Sequence, residues 1–123
     1  MRLHIKNARV VDPASGKDGP GELFTADGKI AKEISKADRV IDAKGMVVAP
    51  GLIDLAARLR EPGYEYKATL ESEMDAAVAG GVTSLACPPD TDPPLDEPGL
   101  VDMLRRRAKA LARARVYPVG ALT

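Results

Sequence analysis

Ala49-Pro50-Gly51-Leu52-Ile53-Asp54-Leu55-Ala56-Ala57-Arg58-Leu59-Arg60-Glu61-Pro62-Gly63 divides the 123-residue chain into two stretches of different grammar. Pro50-Gly51 marks a turn, and Leu52 to Leu55 is a compact apolar run of buried-strand type. Downstream, Leu70, Met74, Ala77 and Val78 recur at helical spacing between Thr69 and Gly80, and Gly80-Gly81 ends that helix. Residues 82–86 then read as a second buried strand. Four prolines between Pro88 and Pro94 exclude helix from the loop that follows. Leu100, Val101, Leu104, Ala108 and Leu111 line one face of a second helix, opened by Asp96-Glu97 and closed by arginines in accord with the helix dipole. Residues 116–120 give a third strand. Strand, helix, strand, helix, strand in one direction implies a parallel sheet.

Upstream, residues 2–50 carry short alternating runs broken by Gly, Pro and Asp, the pattern of strands joined by turns. Leu3, Ile5, Ala8 and Val10 mark a first strand ended by Asp12, Pro13, Ser15 and Gly16. Asp27-Gly28 between two apolar runs is a hairpin signal, because both central positions of a primed turn favour positive φ. Val40-Ile41 and Met46 to Val48 suggest a further pair of strands around Ala43-Lys44-Gly45.

Composition narrows the function classes. Eighteen basic and eighteen acidic residues cancel, so bulk charge supplies no reason to bind nucleic acid or an anionic membrane. Aromatic residues are 3%, too few for a base-stacking platform. Cys87 is alone and cannot form an internal disulfide, which fits a reducing compartment. Charges at Arg2, Lys6, Arg9 and Asp12 interrupt the apolar stretch that a signal peptide needs, and no window approaches a membrane span. A cytoplasmic protein is expected. Three parallel strands with two helices leave open sheet edges, so the chain is expected to be a piece of a longer protein or to have its surface completed by another chain.

The quoted stretch resembles the end of the first barrel strand of the cyclic amidohydrolases, most closely the dihydroorotases, whose pattern is P-G-L-I-D-x-H-x-H-x-R-x-P-G. Gly80-Gly81-Val82-Thr83 and Cys87-Pro88-Pro89-Asp90-Thr91-Asp92-Pro93 resemble that family's G-G-x-T and M-P-N-T-x-P segments in the same order. The resemblance implies an α/β fold: a small β-sandwich segment over residues 1–50, then the first three strands and two helices of a truncated (β/α)8 amidohydrolase barrel over residues 51–123. A complete barrel of this kind takes about 250 residues.

The departures carry the functional expectation. In the family the two histidines of H-x-H bind a zinc pair, and here those positions are Ala56 and Arg58. Alanine has no donor atom and arginine brings a fixed cation to the place of a dication. No metal site is expected, zinc belonging to the active relatives only. The family's R-x-P-G arginine and P-N-T asparagine hold the substrate carboxylate. Arg60 matches the first and keeps the capacity for a bidentate pair, whereas Asp90 replaces the amide by an acceptor-only group. Arg60 and Asp90 are thus the expected remnants of a substrate site, with Asp90 paired to Arg58 or Arg60, and no catalytic residue is expected.

The remaining candidates read as structural. His4 falls in the first strand, remote from the strand ends where barrel chemistry occurs. Cys87 is a small apolar filler at a strand end with no histidine nearby in sequence to activate it. Asp54 is expected to bond backbone near the strand end or to pair with an arginine. Glu61, Glu65, Glu71 and Glu73 show no acid and base separation and read as mostly solvated. Arg105, Arg106, Arg107, Lys109, Arg113 and Arg115 read as the exposed face of the second helix, with a charged docking surface as their other use.

Absence of H-x-H resembles the non-catalytic homologues that accompany aspartate carbamoyltransferase. The expectation is a non-catalytic dihydroorotase-like subunit, an oligomer, supporting assembly of the aspartate carbamoyltransferase catalytic chain in pyrimidine biosynthesis, with neither nucleic acid nor membrane as partner. The alternative is a metal-dependent cyclic-amide hydrolase whose other ligands lie beyond residue 123.

Overall fold

A computed structural model describes residues 1–122, and Thr123, the last position of the expected barrel segment, lies outside them. The chain divides into two compact units, Met1–Pro50 and Gly51–Thr123.

The first unit is one five-stranded sheet of β1 (Leu3–Asp12), β2 (Lys17–Ala26), β3 (Lys29–Ala31), β4 (Arg39–Asp42) and β5 (Val47–Val48). Over residues 1–50, expected as a β-sandwich segment, the described residues form one sheet, ordered β3-β2-β1-β4 with β5 also on β1. Asp27 at φ 50° and Gly28 at φ 74° build the β2–β3 hairpin turn as its two positive-φ residues. β2 begins earlier than its apolar run suggests. Pro20 is tolerated because β3 pairs only with residues 24–26, which leaves this part of β2 on the sheet edge. β4 and β5 form where the further pair of strands is expected, and they do not pair with each other. Both run parallel to β1, one after the other along its free edge, and the Ala43-to-Gly45 turn, with Gly45 at φ 79°, lets the chain step from one to the next.

Ala8, Val10 and Ala43 are the buried residues of this sheet, a core so small that charges contribute visibly between strands. Arg9 grips Asp18 with two bonds, Nε to Oδ1 at 2.6 Å and Nη2 to Oδ2 at 2.7 Å. Arg2 Nη2 donates to Asp38 Oδ1 at 2.8 Å. His4 Nε2 lies 2.5 Å from Glu22 Oε2 and its ring stacks on Phe24, so the histidine is satisfied within the sheet.

The second unit is a three-stranded parallel sheet, β6 (Leu52–Asp54), β7 (Val82–Cys87) and β8 (Arg115–Pro118), with α1 (Leu70–Ala79) and α2 (Pro98–Leu111) as the crossovers. Thr69 starts α1 through a reciprocal cap: its Oγ1 accepts from Ser72 N–H at 3.2 Å, and Ser72 Oγ accepts from Thr69 N–H at 3.0 Å. Gly80 closes the helix without left-handed geometry, at φ −84°, and Gly81 at φ +82° makes the reversal into β7. Pro98 occupies the first position of α2, where its missing N–H has no intrahelical partner to lose.

Leu70 and Met74 of α1, Leu85 and Cys87 of β7, and Leu104 and Ala108 of α2 form one buried core with Leu59 and Leu95. Sheet and helices are held together by this layer, and truncating such a leucine to alanine costs about 2–5 kcal/mol. The expected burial of Leu52 to Leu55 does not hold among the described residues: Leu52, Ile53 and Leu55 are 61%, 67% and 79% exposed. β6 is the edge of this sheet, so only one of its sides has a strand to lean on.

Candidate functional site

Strand β6 ends at Asp54, two residues before Ala56, the first of the two H-x-H positions, although Ala57 N–H still bonds to Ala86 O at 3.0 Å. Ala56 and Arg58 thus sit on an irregular continuation of β6, not on a regular strand. Asp54 stabilises the departure: its Oδ1 accepts from Ala56 N–H at 2.9 Å, a local turn bond of the kind expected of it. Asp54, Ala56, Arg58 and Arg60 line a cleft of about 370 Å³ together with Glu73 and Ala77 of α1.

The two motif segments, far apart in sequence, meet in space. Arg58 Nε donates to Asp90 Oδ2 at 2.5 Å. Asp92 N–H donates to Pro62 O at 3.1 Å, and Gly63, at φ +99°, lies so close to Asp92 that a Cβ there would collide with its backbone. Only glycine meets both the sign of φ and the close approach. Inside the proline-rich loop Thr91 Oγ1 donates to Pro93 O at 2.8 Å, and Leu95 is fully buried. The loop therefore presents Asp90 from a fixed support.

Of the two guanidinium partners weighed for it from the sequence, Asp90 takes Arg58. Arg60 is half-buried, sits in left-handed backbone at φ 66°, and has no side-chain hydrogen bond or ion pair among the described residues. Its donors remain available to an anion. Zinc does not fit the residues at these positions. Ala56 supplies no donor atom, the Arg58 guanidinium is a cation already bonded to Asp90, and among the described residues no three His, Cys, Asp or Glu side chains converge.

One group departs from its expected role. Glu61 is not solvated: its side chain is 4% exposed, its Oε1 accepts from Leu70 N–H at the start of α1 at 2.8 Å, and its Oε2 lies 2.6 Å from Arg107 Nη1 of α2. The guanidinium is close enough for an ion pair but is not aligned to donate a hydrogen bond to Oε2. Arg107 stays exposed, as expected of the basic face, while its guanidinium reaches the buried Glu61 carboxylate. No periodicity reports a carboxylate buried in a loop; the only available signal was the acidic residue nine positions before a helix start. Cys87 is buried, its Sγ facing Pro88 O at 3.5 Å, and burial pushes its thiol pKa up, with the Leu59 backbone pulling it partly back and Asp90 adding to the rise. This is the opposite of nucleophile activation.

A family model described as Dihydro-orotase-like matches residues 45–123. A dihydroorotase-like protein of Pseudomonas aeruginosa is 48% identical over 128 residues, covering all of this chain and 30% of that protein. A dihydroorotase of Aquifex aeolicus is 39% identical with the same coverage of each. The chain thus spans about 30% of the length of the curated relatives it matches. Among solved structures, L-hydantoinase (dihydropyrimidinase) from Arthrobacter aurescens superposes with a TM-score of 0.83 over 96% of this chain and 27% of that one, at 24% identity, a likeness of fold. No helix among the described residues is long and apolar enough to cross a membrane. With its G-L-I-D strand end, its R-E-P-G turn and a matching model over most of its length, the chain belongs to the dihydroorotase-like family.

Proposed function

We propose that the protein is a non-catalytic dihydroorotase-like subunit that supports the assembly of aspartate carbamoyltransferase in pyrimidine biosynthesis. The observation that carries this reading is the Arg58–Asp90 ion pair at 2.5 Å. A hydrolytic zinc site needs neutral or anionic ligands around an open position. At the motif's two ligand positions this chain has a methyl group and a cation, and the cation is neutralised internally. The site keeps its scaffold and the Arg60 guanidinium, while the groups that would activate water are replaced.

Hydrogen-bonding capacity without a metal suits a protein that retains a shape, and a retained shape is what an assembly partner contributes. The experiment is co-expression of the full-length protein with the carbamoyltransferase catalytic chain. The two should co-elute as one species in size-exclusion chromatography, and the transferase alone should elute smaller and lose activity on dilution. Independent elution of the two at micromolar concentration, with full transferase activity unaided, contradicts the proposal.

A further inference from the structure

Both members of the Arg58–Asp90 pair hang from one turn. Arg58 enters it just ahead of Arg60, and the Asp90 loop is tied to it by Asp92, whose N–H donates to Pro62 O at 3.1 Å and whose backbone packs against Gly63. Inside the turn Arg60 holds left-handed backbone at φ 66°, a region that residues other than glycine rarely adopt. Its carbonyl accepts from Tyr64 N–H at 2.9 Å, a bond within the turn itself. Backbone of this kind persists where its surroundings hold it. Leu59, on one side of Arg60, is buried in the core. On the other side the buried Glu61 carboxylate accepts from Leu70 N–H of α1 at 2.8 Å and lies 2.6 Å from Arg107 Nη1 of α2. A buried ion pair gains little stability over well-packed apolar side chains, and what it adds is a single fixed geometry.

We infer that Glu61, seated against Arg107, is a positioning residue for the Arg58–Asp90 pair: it fixes the backbone at Arg60 and thereby the approach of the Arg58 guanidinium to the Asp90 carboxylate. The inference goes beyond the assembly reading, which uses the pair but not what holds it. Released from Glu61, Arg60 relaxes toward ordinary backbone, and rotation there swings Arg58 and Pro62 relative to each other. Pro62 carries Asp92 with it, and so the loop that presents Asp90. A charged hydrogen bond registers such a shift, because it weakens steeply with misalignment. Leu59 alone does not account for the arrangement. A buried leucine fixes depth in the core and leaves the sign of φ at the next residue open. Because Arg107 belongs to α2, the geometry beyond the end of β6 depends on where that helix sits.

The test reads the Arg58 side chain itself, by NMR of the arginine Nε–H groups in the full-length protein, with Arg58→Lys assigning the signal. In wild type the bond to Asp90 should move the Arg58 Nε–H proton downfield and slow its exchange with water, and Asp90→Ala gives the signal of the unpaired group. Glu61→Gln keeps an acceptor for Leu70, and Arg107→Gln changes only an exposed helix position, so both variants should fold, as circular dichroism checks. In each, the Arg58 signal should move toward that of Asp90→Ala, and its Nε–H should exchange about threefold faster or more. Arg107→Lys keeps the cation and should restore most of the wild-type signal. Arg106→Gln, at an exposed arginine of the same helix with no ion pair among the described residues, should leave it unchanged. A wild-type Arg58 signal in either folded Gln variant at Glu61 or Arg107 overturns the inference, since a merely structural carboxylate lowers the denaturation midpoint without moving that signal. An equal shift in Arg106→Gln overturns it too. None of these readouts involves the transferase, so failed co-elution rejects the assembly reading and leaves this one standing.

Discussion

Arg58 Nε and Asp90 Oδ2 lie 2.5 Å apart, joining two segments separated by 32 residues at the position where a metal would otherwise require donors. Both side chains are about half exposed, 53% and 49%, so water screens the pair and limits its energetic weight. Its consequence is chemical before it is energetic. One guanidinium is paired, one carboxylate is occupied, and the Arg60 side chain has no partner among the described residues.

Breaking this pair should cost little stability. Arg58→Ala and Asp90→Asn are each expected to lower unfolding free energy by about 1 kcal/mol or less, with a coupling energy of about 0.2–1 kcal/mol in a double-mutant cycle. Urea denaturation of the four proteins measures it. A coupling several times larger would mean that the pair organises the surrounding loops instead of resting on them.

Glu61 should matter more than either. Its buried carboxylate ties the turn after Arg60 to the first N–H of α1 and to Arg107 of α2. Glu61→Ala is expected to cost about 2–3 kcal/mol, since a hydrogen bond to a charged group is lost and Leu70 N–H is left without an acceptor. Glu61→Gln keeps an acceptor for Leu70 and should fall between wild type and alanine. Chemical denaturation monitored by helix circular dichroism decides the order.

Gly63→Ala should be among the most damaging conservative changes in the second unit. The added methyl meets Asp92 in a backbone conformation, φ +99°, that alanine disfavours. A loss of at least about 2 kcal/mol is expected, compared with less than about 1 kcal/mol at Gly99, where a Cβ meets nothing within 4 Å. Near-equal midpoints for the two variants would show that the loops separate readily.

The N-terminal sheet should weaken in acid. Asp18 beside the Arg9 guanidinium, Asp38 beside Arg2, Asp42 accepting from Asn7, and Asp12 accepting from Ser15 all have carboxyl pKa values below the ordinary range. A folded pKa lower than the unfolded one stabilises the folded state above the unfolded value, about 3.9, and that contribution is lost as pH falls through the folded value. Stability should therefore be level from neutral pH to about pH 5 and fall below about pH 4. Because all four groups face solvent, added salt should shrink the Arg-paired contributions. Urea midpoints at pH 7, 5 and 3, at low and high salt, measure both effects.

The helices and the parallel strands of the second unit were legible because their apolar spacings and stops are local: Leu70 to Met74, Gly80-Gly81, Leu104 to Ala108. The hairpin at Asp27-Gly28 was legible for the same reason. The parallel seating of β4 and β5 on one strand was not, because strand partners depend on contacts remote in sequence. The exposure of Ile53 was hidden as well, since an apolar run says that a residue is suited to burial and not whether a neighbour is there to bury it. At the site, residue identities made Arg58 and Asp90 candidates for pairing. The burial of Glu61 depends on where α2 places Arg107, which no local pattern encodes.

Zinc content and ring-opening of dihydroorotate, measured together on the full-length protein after incubation with excess zinc and removal of free metal, test the central claim most directly. The account predicts no stoichiometric zinc and no turnover above background. One or two zinc ions retained per chain, with hydrolysis abolished by a chelator and restored by metal, would contradict it.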